Sequence, residues 1–376
     1  MAPHLFLSSG DPSGVAIGAG LMRTLKTHAP GITFAGLGGD EMVAEGMRLI
    51  MDPATKSAMW LMGNLKRVPL HAKMRRLSQE DWERSRPDAL ITIDYQAFHL
   101  FLGVSAQERG IPVIHFVGSQ FWGRRYYTLG PIRRAYSHVL LIHEFEKPYY
   151  DEAGIDATYV GYPLFERLQH RELNAERLEY LRTLPTPRLA LLPGSRHLEI
   201  TASLPVMLEV AQRMQPRPYL LVSQGHPHKR SRVQRMLADS GMPGEVFDGA
   251  VGEILSEAEL ALITSGTATM EALYYGCPAV VIYRLHPITY FIGKPLKAGF
   301  MAMPNLLARE EVVPEFLMGS RNPKRVAAAA QSLLSNADER EEQRRRFKQI
   351  KQRVLSGPVP SQAAAEVVLR IIDGGE

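Results

Sequence analysis

The stretch that most constrains the fold is LALITSGTATMEALYYGCPAVVIY, which begins at Leu260. Its first four residues are apolar and predict a buried strand, a helical pattern follows over residues 268–275, and residues 279–283 predict the next strand. Gly276 and Pro278 end the helix, because glycine favours a left-handed C-cap and proline cannot continue a helix. A strand, a helix and a strand in this order predict a parallel α/β sheet.

The connection between that strand and its helix, Ser265-Gly266-Thr267, is suited to a phosphate group. Free backbone N–H groups, hydroxyls and the positive end of the helix dipole would meet at this turn. Glu271 follows one helical turn later, where its carboxylate could accept hydrogen bonds from a ribose diol. The alternative is an ordinary capped helix in an α/β sheet, and the turn by itself leaves both interpretations open.

Strand and helix patterns alternate along all 376 residues, which suffice for two domains with separate cores. In the first half, buried-strand patterns cover residues 5–9, 32–36, 88–94, 112–117 and 138–142. In the second half, they cover residues 189–192, 219–223, 245–247, 260–264 and 279–283. A charged helix over residues 170–184, which ends at Pro185, marks the boundary. We therefore predict parallel-sheet domains at residues 1–165 and 185–356, and a C-terminal helical segment, residues 357–376, that crosses back to the first domain.

Two further strand ends carry side chains suited to a sugar nucleotide. Arg196 follows Pro193-Gly194-Ser195 at a helix start, where its guanidinium beside free N–H groups would suit a diphosphate. Without an anion, an arginine there is mildly unfavourable because of the helix dipole, although a plain surface arginine is the alternative. Asp94 ends a buried strand, at the edge where open α/β sheets bind ligands. It could act as a base on a hydroxyl, or cap the next helix.

The turn after the first strand contains Gly10, Asp11 and Ser13. It matches neither the GxGxxG dinucleotide pattern nor the GxSxG nucleophile elbow, so it predicts a backbone turn that a ligand can approach. His115 ends a later strand. The sequence contains no Asp-x-Asp pair and no HExxH motif, so we predict no metal site and no cofactor, with diphosphate charge met by arginine and helix ends.

Residues 57–77, SAMWLMGNLKRVPLHAKMRRL, join an apolar run to a basic one. Trp60 and Met62 beside lysine and arginine suit the headgroup boundary of a bilayer, and a helix covering the core is the alternative. The net charge of +5 suits anionic ligands or an anionic membrane, and no nucleic-acid-binding signature is present. A single cysteine, the lack of a signal-peptide pattern and the lack of a spanning apolar run predict a cytoplasmic chain, peripheral at most.

Taken together, these motifs resemble the lipid-A-disaccharide synthase family of GT-B glycosyltransferases. In the second half, the matching segments are residues 189–200, 265–284 and 303–310. In the first half, they are residues 18–26, the strand end at Asp94, and residues 115–117 and 145–155.

The resemblance implies two Rossmann-like domains that face a central crevice, and inverting transfer of a diacylglucosamine from its UDP donor to a diacylglucosamine 1-phosphate acceptor. Asp94 would be the general base on the acceptor 6-hydroxyl. The nucleotide side would comprise Ser195, Arg196, Ser265, Gly266, Thr267, Glu271, Arg284 and Asn305. The acceptor side would comprise Gly10, Asp11, Ser13, His115 and Trp122. The implied partners are these two glycolipids and the inner-membrane surface, contacted through Trp60 and Met62, and a homodimer is left open.

The departures from the family pattern lie on the acceptor side. Val15 and Ala97 stand where the family has acids, and Tyr162 stands where it has a histidine. The nucleotide motifs are intact. Two alternatives therefore stay open, namely a GT-B transferase with a different acceptor and a UDP-sugar-binding relative without turnover.

Overall fold

The computed structural model describes residues 2–53, 68–118, 129–194, 197–225, 230–264, 266–283, 300–317 and 323–374. The chain divides into two compact units. The first unit, here called the first domain, comprises Met1–Arg167 and Leu355–Glu376, and the second domain comprises Leu168–Val354. Within the described ranges, no helix combines the length and the apolar character needed to cross a bilayer.

The first domain is built on a seven-stranded parallel sheet in the order β3-β2-β1-β4-β5-β6-β7. Its strands are β1 His4–Ser9, β2 Thr33–Leu37, β3 Arg48–Met51, β4 Ala89–Ile93, β5 Val113–Phe116, β6 His138–Leu141 and β7 Ala157–Tyr159. Its helices are α1 Pro12–His28, α2 Asp40–Ala44, α3 Val68–Arg84, α4 Gln96–Gln107, α5 Leu129–Ala135, α6 Lys147–Glu152, α7 Pro163–Gln169, which runs into the second domain, and α16 Pro360–Ile372.

The central strands of this sheet are apolar because both faces are covered by helices. In β1, Leu5 and Leu7 face one core, whereas Phe6 faces the other. The C-terminal helix α16 packs on α1, and its Ala364 and Val368 are fully buried in the first of these cores. The last helix of the chain is therefore part of the first domain.

The second domain is built on a six-stranded parallel sheet in the order β10-β9-β8-β11-β12-β13. Its strands are β8 Arg188–Leu192, β9 Tyr219–Gln224, β10 Gly244–Asp248, β11 Leu260–Thr264, β12 Ala279–Tyr283 and β13 Glu315–Leu317. Its helices are α8 Ala175–Thr183, α9 His197–Gln212, α10 Arg230–Asp239, α11 Val251–Glu257, α12 Thr267–Tyr275, α13 Met303–Ala308, α14 Pro323–Ser335 and α15 Ala337–Leu355.

The prediction of two parallel-sheet α/β domains is confirmed, and β11 and β12 have the predicted bounds. The sequence analysis missed β3, β7 and β13, which are short and lie at sheet edges. The charged helix expected from residue 170 begins at Ala175 instead. The reason is Asn174, whose side chain caps this helix by accepting a hydrogen bond from the N–H of Arg177 over 2.8 Å.

The contact between β1 and β2 requires a glycine at Gly36, because a Cβ atom there would collide with the carbonyl oxygen of Leu7. We expect Gly36→Ala to lower the free energy of unfolding by about 3 kcal/mol, the upper part of the usual range for overpacking. Gly20→Ala is the control. Its Cβ atom would meet no heavy atom of the described part of the chain within 4 Å, so this helical substitution should stabilise by about 0.5–1 kcal/mol. Urea unfolding followed by circular dichroism measures both, and equal midpoints would contradict the steric argument.

Candidate functional site

Two turns of the second domain directly follow two strands that are neighbours in the sheet. β8 and β11 pair in parallel with Leu192 opposite Ile263, and the hydroxyl of Thr264 donates to the carbonyl of Leu192 over 3.2 Å. The turns at Gly194 and Gly266 follow these strands, and each leads into a helix, α9 or α12. Two helix N-termini therefore begin at one edge of the sheet, an arrangement that favours anions.

Both turns use backbone conformations that favour glycine, with φ of +97° at Gly194 and +123° at Gly266. A Cβ atom at Gly194 would lie 2.5 Å from Oε2 of Glu199 and 3.2 Å from Oγ1 of Thr264, so this turn is closely packed. Among the described residues, none has a heavy atom within 4 Å of a Cβ atom placed at Gly266. Gly266 is also the N-cap of α12 and has no side chain that could cap the N–H groups of this helix start.

Several predicted nucleotide-binding residues lie outside the described residues, namely Ser195, Arg196, Ser265 and Arg284. Thr267 is exposed at the first position of α12, directly after Gly266. Glu271 is half-buried one turn further along the same helix. The described members of the predicted nucleotide set at this turn therefore share one helix start.

Asn305 in α13 is fully buried. Its Oδ1 accepts hydrogen bonds from the N–H groups of Val312 and Val313 over 2.7 and 2.8 Å, and its Nδ2 donates to the carbonyl of Val313 over 2.9 Å. These bonds hold the segment that precedes β13. The side chain is fully buried and bonded to this backbone, so the placement favours a positioning role for Asn305.

In the first domain, the turns after β1 and β4 are neighbours, because Ser9 pairs with Ile93. Asp94 and Tyr95 follow β4 in the left-handed region, with φ of +52° and +44°. Such a conformation costs roughly 1–2 kcal/mol per non-glycine residue, so the surrounding structure must hold it. The N–H of Asp94 donates to the carbonyl of Phe116 over 2.9 Å. The N-cap residue of α4 is Tyr95 and not Asp94, in contrast to the capping alternative.

The side chain of Tyr95 contacts two neighbouring segments of the first domain. It packs against Gly10, where a Cβ atom would collide with the ring, which explains the glycine in the turn after β1. The hydroxyl of Tyr95 lies 2.7 Å from Nε2 of His71 in α3. Asp94 is half-buried and directly follows the carboxyl end of β4.

Asp11 is the N-cap of α1. Its Oδ1 accepts hydrogen bonds from the N–H of Gly14 and the hydroxyl of Ser13, both over 2.8 Å. Val15 follows and is only 6% exposed within the core. Asp11 and Ser13 therefore order the helix start, where the carboxylate of Asp11 is engaged by two hydrogen bonds.

His115 lies in the interior of the sheet. Its Nδ1 is 2.8 Å from the hydroxyl of Thr92, and its ring stacks in parallel on Tyr136 with centroids 4.2 Å apart. Burial lowers the pKa of His115 well below its ordinary value, so the imidazole is neutral. This placement favours a structural role over the predicted contact with an acceptor. Trp122 lies outside the described residues.

Further polar side chains, which the sequence did not predict, lie at strand ends of both sheets. His143 follows β6 and stacks on Tyr162 with centroids 5.1 Å apart, and burial lowers its pKa to about 3. Gln224 and Arg230 both bind the carboxylate of Asp248, the last residue of β10, and lower its pKa, with Gln224 contributing most. Their positions at strand ends, 141–143 and 248, are the signal that could have revealed them.

The family model of lipid-A-disaccharide synthetase matches residues 5–368. The lipid-A-disaccharide synthase of Myxococcus xanthus (strain DK1622) is 32% identical over 380 residues, which cover 99% of this chain and 98% of that protein. The lipid-A-disaccharide synthase of Pseudomonas fluorescens (strain SBW25) is 35% identical over 375 residues, which cover 98% and 97%.

Solved structures share the fold at low sequence identity. A UDP-N-acetylglucosamine 2-epimerase from Rickettsia bellii matches with a TM-score of 0.65 and 14% identity, covering 100% of this chain and 98% of that one. The Anabaena protein HepE, in complex with UDP and glucose, matches with a TM-score of 0.60 and 12% identity, covering 98% and 100%. The family match and the relatives above 30% identity extend over nearly the whole chain. The chain therefore belongs to the lipid-A-disaccharide synthase family.

Proposed function

We propose that this chain is an inverting hexosyltransferase. It transfers a diacylglucosamine from its UDP donor to the 6-hydroxyl of a diacylglucosamine 1-phosphate and releases UDP. The family membership supports the substrate class. The observation that carries the proposal is the pair of glycine turns at Gly194 and Gly266, which leave adjacent strands and lead into helix N-termini suited to a diphosphate.

The donor's diphosphate would bind at these turns. Arg196 would form a charge-assisted fork to the phosphate oxygens, and the backbone N–H groups at Gly266 and Thr267 would meet them at the start of α12. Glu271 would accept hydrogen bonds from the ribose diol. Asn305 would act through the backbone that it holds. The other members of the proposed nucleotide site are Ser195, Ser265 and Arg284.

The transfer needs a base and a stabilised leaving group. The acceptor oxygen bonds to the anomeric carbon as the bond from that carbon to the β-phosphate oxygen breaks, and its proton passes to the carboxylate of Asp94. The electron pair of the broken bond stays on UDP. Arg196 and the helix N–H groups stabilise that charge, so the leaving group needs no proton. The acceptor would contact the turn at Gly10 and Asp11.

The second candidate is the same transfer to a different acceptor. Val15 is buried in the core, so its position presents no polar group to a ligand. Ala97 is exposed without a carboxylate, and Tyr162 stacks on His143. Each of these positions differs from the acid or histidine that the family pattern has, and all belong to the first domain. An altered acceptor would leave the nucleotide turns unchanged.

A product screen tests both candidates. The full chain is incubated with UDP-diacylglucosamine and one of several acceptors, with and without EDTA, and the products are identified by mass spectrometry. We expect a disaccharide 1-phosphate only with the 1-phosphate acceptor, formed equally in EDTA. A product with another acceptor alone would favour the second candidate. UDP binding without any acceptor-dependent product would identify a non-catalytic binder.

We also propose that residues 57–77 contact an anionic membrane surface. Trp60 and Met62 lie outside the described residues, but the segment continues into α3. There Val68 is 63% exposed, and Lys73, Arg75 and Arg76 are exposed, whereas Met74 packs into the core. An exposed apolar group among basic side chains suits the headgroup region of a bilayer.

Vesicle sedimentation tests this contact. We expect Trp60→Ser combined with Met62→Ser to reduce the fraction that sediments with anionic vesicles, and added salt to reduce it further, because both apolar burial and charge contribute. Val43→Ser is the control, since Val43 is a 42% exposed apolar residue of another helix, α2. If the double variant sediments like the parent chain, the segment covers the core and does not bind the membrane.

A further inference from the structure

A buried histidine forms a hydrogen bond with the left-handed turn at Asp94. His99 in α4 is fully buried, and its Nδ1 lies 2.6 Å from the backbone carbonyl oxygen of Asp94. Its Nε2 lies 2.9 Å from the hydroxyl of Ser8 in β1, which is also fully buried. One imidazole ring therefore connects β1 to the residue that we propose as the base.

The chemistry of the two partners fixes the protonation of this ring. A carbonyl oxygen only accepts hydrogen bonds, so Nδ1 of His99 carries the proton and donates it to Asp94. Burial lowers the pKa of His99 to about 4, so the ring is neutral near pH 7 and Nε2 has no proton. Nε2 therefore accepts the hydrogen bond of the Ser8 hydroxyl. Both ring nitrogens are satisfied, and the ring has one orientation.

We propose that His99 is a positioning residue for the transfer, because its Nδ1–H bond to the carbonyl of Asp94 keeps that residue in the left-handed conformation. This inference rests on the proposed role of Asp94 as the base. Asp94 and Tyr95 are consecutive non-glycine residues at positive φ, a costly arrangement that persists only where neighbours over-determine it. The N–H of Asp94 is held by Phe116, and His99 holds its carbonyl.

Loss of the hydrogen bond would act on orientation and not on the chemistry of the carboxylate. With its carbonyl released, Asp94 can rotate toward an ordinary φ, and its side chain then leaves the direction in which it meets the acceptor hydroxyl. Small misplacements of a catalytic group reduce rates strongly. The UDP site would be unaffected, since its proposed residues belong to the second domain.

Two amide substitutions separate the two hydrogen bonds of the ring. In His99→Asn, the amide nitrogen stands where Nδ1 stood and can still donate to Asp94, but it does not reach Ser8. In His99→Gln, the amide reaches toward Ser8, and the donor at the Nδ1 position is lost. We expect the turnover number of the asparagine variant to stay within about fivefold of the parent chain. That of the glutamine variant should fall by about 10- to 100-fold, without a change in UDP affinity.

Further variants separate positioning from general destabilisation. Ser8→Ala should change turnover by less than about threefold, since the bond to Asp94 remains. His138→Leu is a matched control, because Nε2 of His138 in β6 lies 2.9 Å from the hydroxyl of Thr158 in β7, and β6 is two strands away from β4 in the sheet. It should leave turnover within about threefold even where it lowers the melting temperature.

The decisive comparison is the double variant with Asp94→Asn. If His99 acts through Asp94, then His99→Gln lowers turnover by less than about threefold once the carboxylate is gone. An equal loss in both backgrounds would show a purely structural role and overturn the inference. So would a glutamine variant with unchanged turnover, even if Asp94→Asn itself is strongly impaired. If Asp94→Asn is not impaired, the proposed base is wrong and the inference fails with it.

Discussion

Replacing Asp94 by asparagine is expected to lower the turnover number of glycosyl transfer by at least two orders of magnitude, within the roughly 10²- to 10⁴-fold range of a positioned general base. The amide keeps the shape of the side chain and cannot take the proton of the acceptor hydroxyl. UDP should bind as tightly as before, because the proposed nucleotide residues lie in the other domain. Steady-state kinetics with saturating donor, together with UDP calorimetry, measures both effects.

Asp88→Asn is the matched control for this variant. Asp88 precedes the same strand, β4, and its carboxylate accepts a hydrogen bond from the N–H of His4 over 2.7 Å at the opposite edge of the sheet. It should leave turnover nearly unchanged. Turnover of Asp94→Asn within about threefold of the parent chain would contradict the assignment of the base. His115 would be a poor alternative to Asp94 as the general base, because it is buried and bonded to Thr92.

The second large effect is expected at Arg196. Arg196→Ala should weaken UDP binding by about 1.5–3 kcal/mol, the range for a hydrogen bond to a charged group, which is about 10- to 150-fold in the dissociation constant. The UDP affinity of Arg196→Lys should lie between those of the parent chain and Arg196→Ala, because lysine keeps the charge and loses the planar fork. Isothermal titration calorimetry with UDP gives these values directly.

Arg213→Ala provides the control for Arg196. Arg213 lies just after α9, the helix that Arg196 precedes, and its guanidinium pairs with Glu209 over 2.7 Å on the surface. Removing it should leave UDP affinity unchanged. If Arg196→Ala binds UDP like the parent chain, the diphosphate does not bind at the turn between β8 and α9.

The sheets could be predicted because their central strands are buried on both faces and therefore appear as continuous apolar runs. β11 and β12 have the bounds that the sequence predicts. The edge strand β3 has two exposed residues among its four, and β7 and β13 have only three residues each, so their patterns are too weak to detect. Their membership of the sheets depends on pairing with distant strands.

The chemistry of the candidate site could be predicted only in part. Asp94 was identifiable as the end of a buried strand, but its left-handed backbone was not, because no glycine marks that turn. The family resemblance placed Asn305 on the nucleotide side. Only the structure reveals that its amide binds the backbone of Val312 and Val313. His99 was missed because a histidine on an apolar helix face gives no sign of its partner, Ser8, in another strand.

The most direct test of the central claim is the linkage in the product that the full chain forms from UDP-diacylglucosamine and diacylglucosamine 1-phosphate. Nuclear magnetic resonance of the purified product reports both the anomeric configuration and the oxygen that carries the new sugar. The account predicts a bond to the 6-oxygen of the acceptor, with a configuration opposite to that of the donor. A product of retained configuration, or release of UDP with transfer of the sugar to water alone, would contradict it.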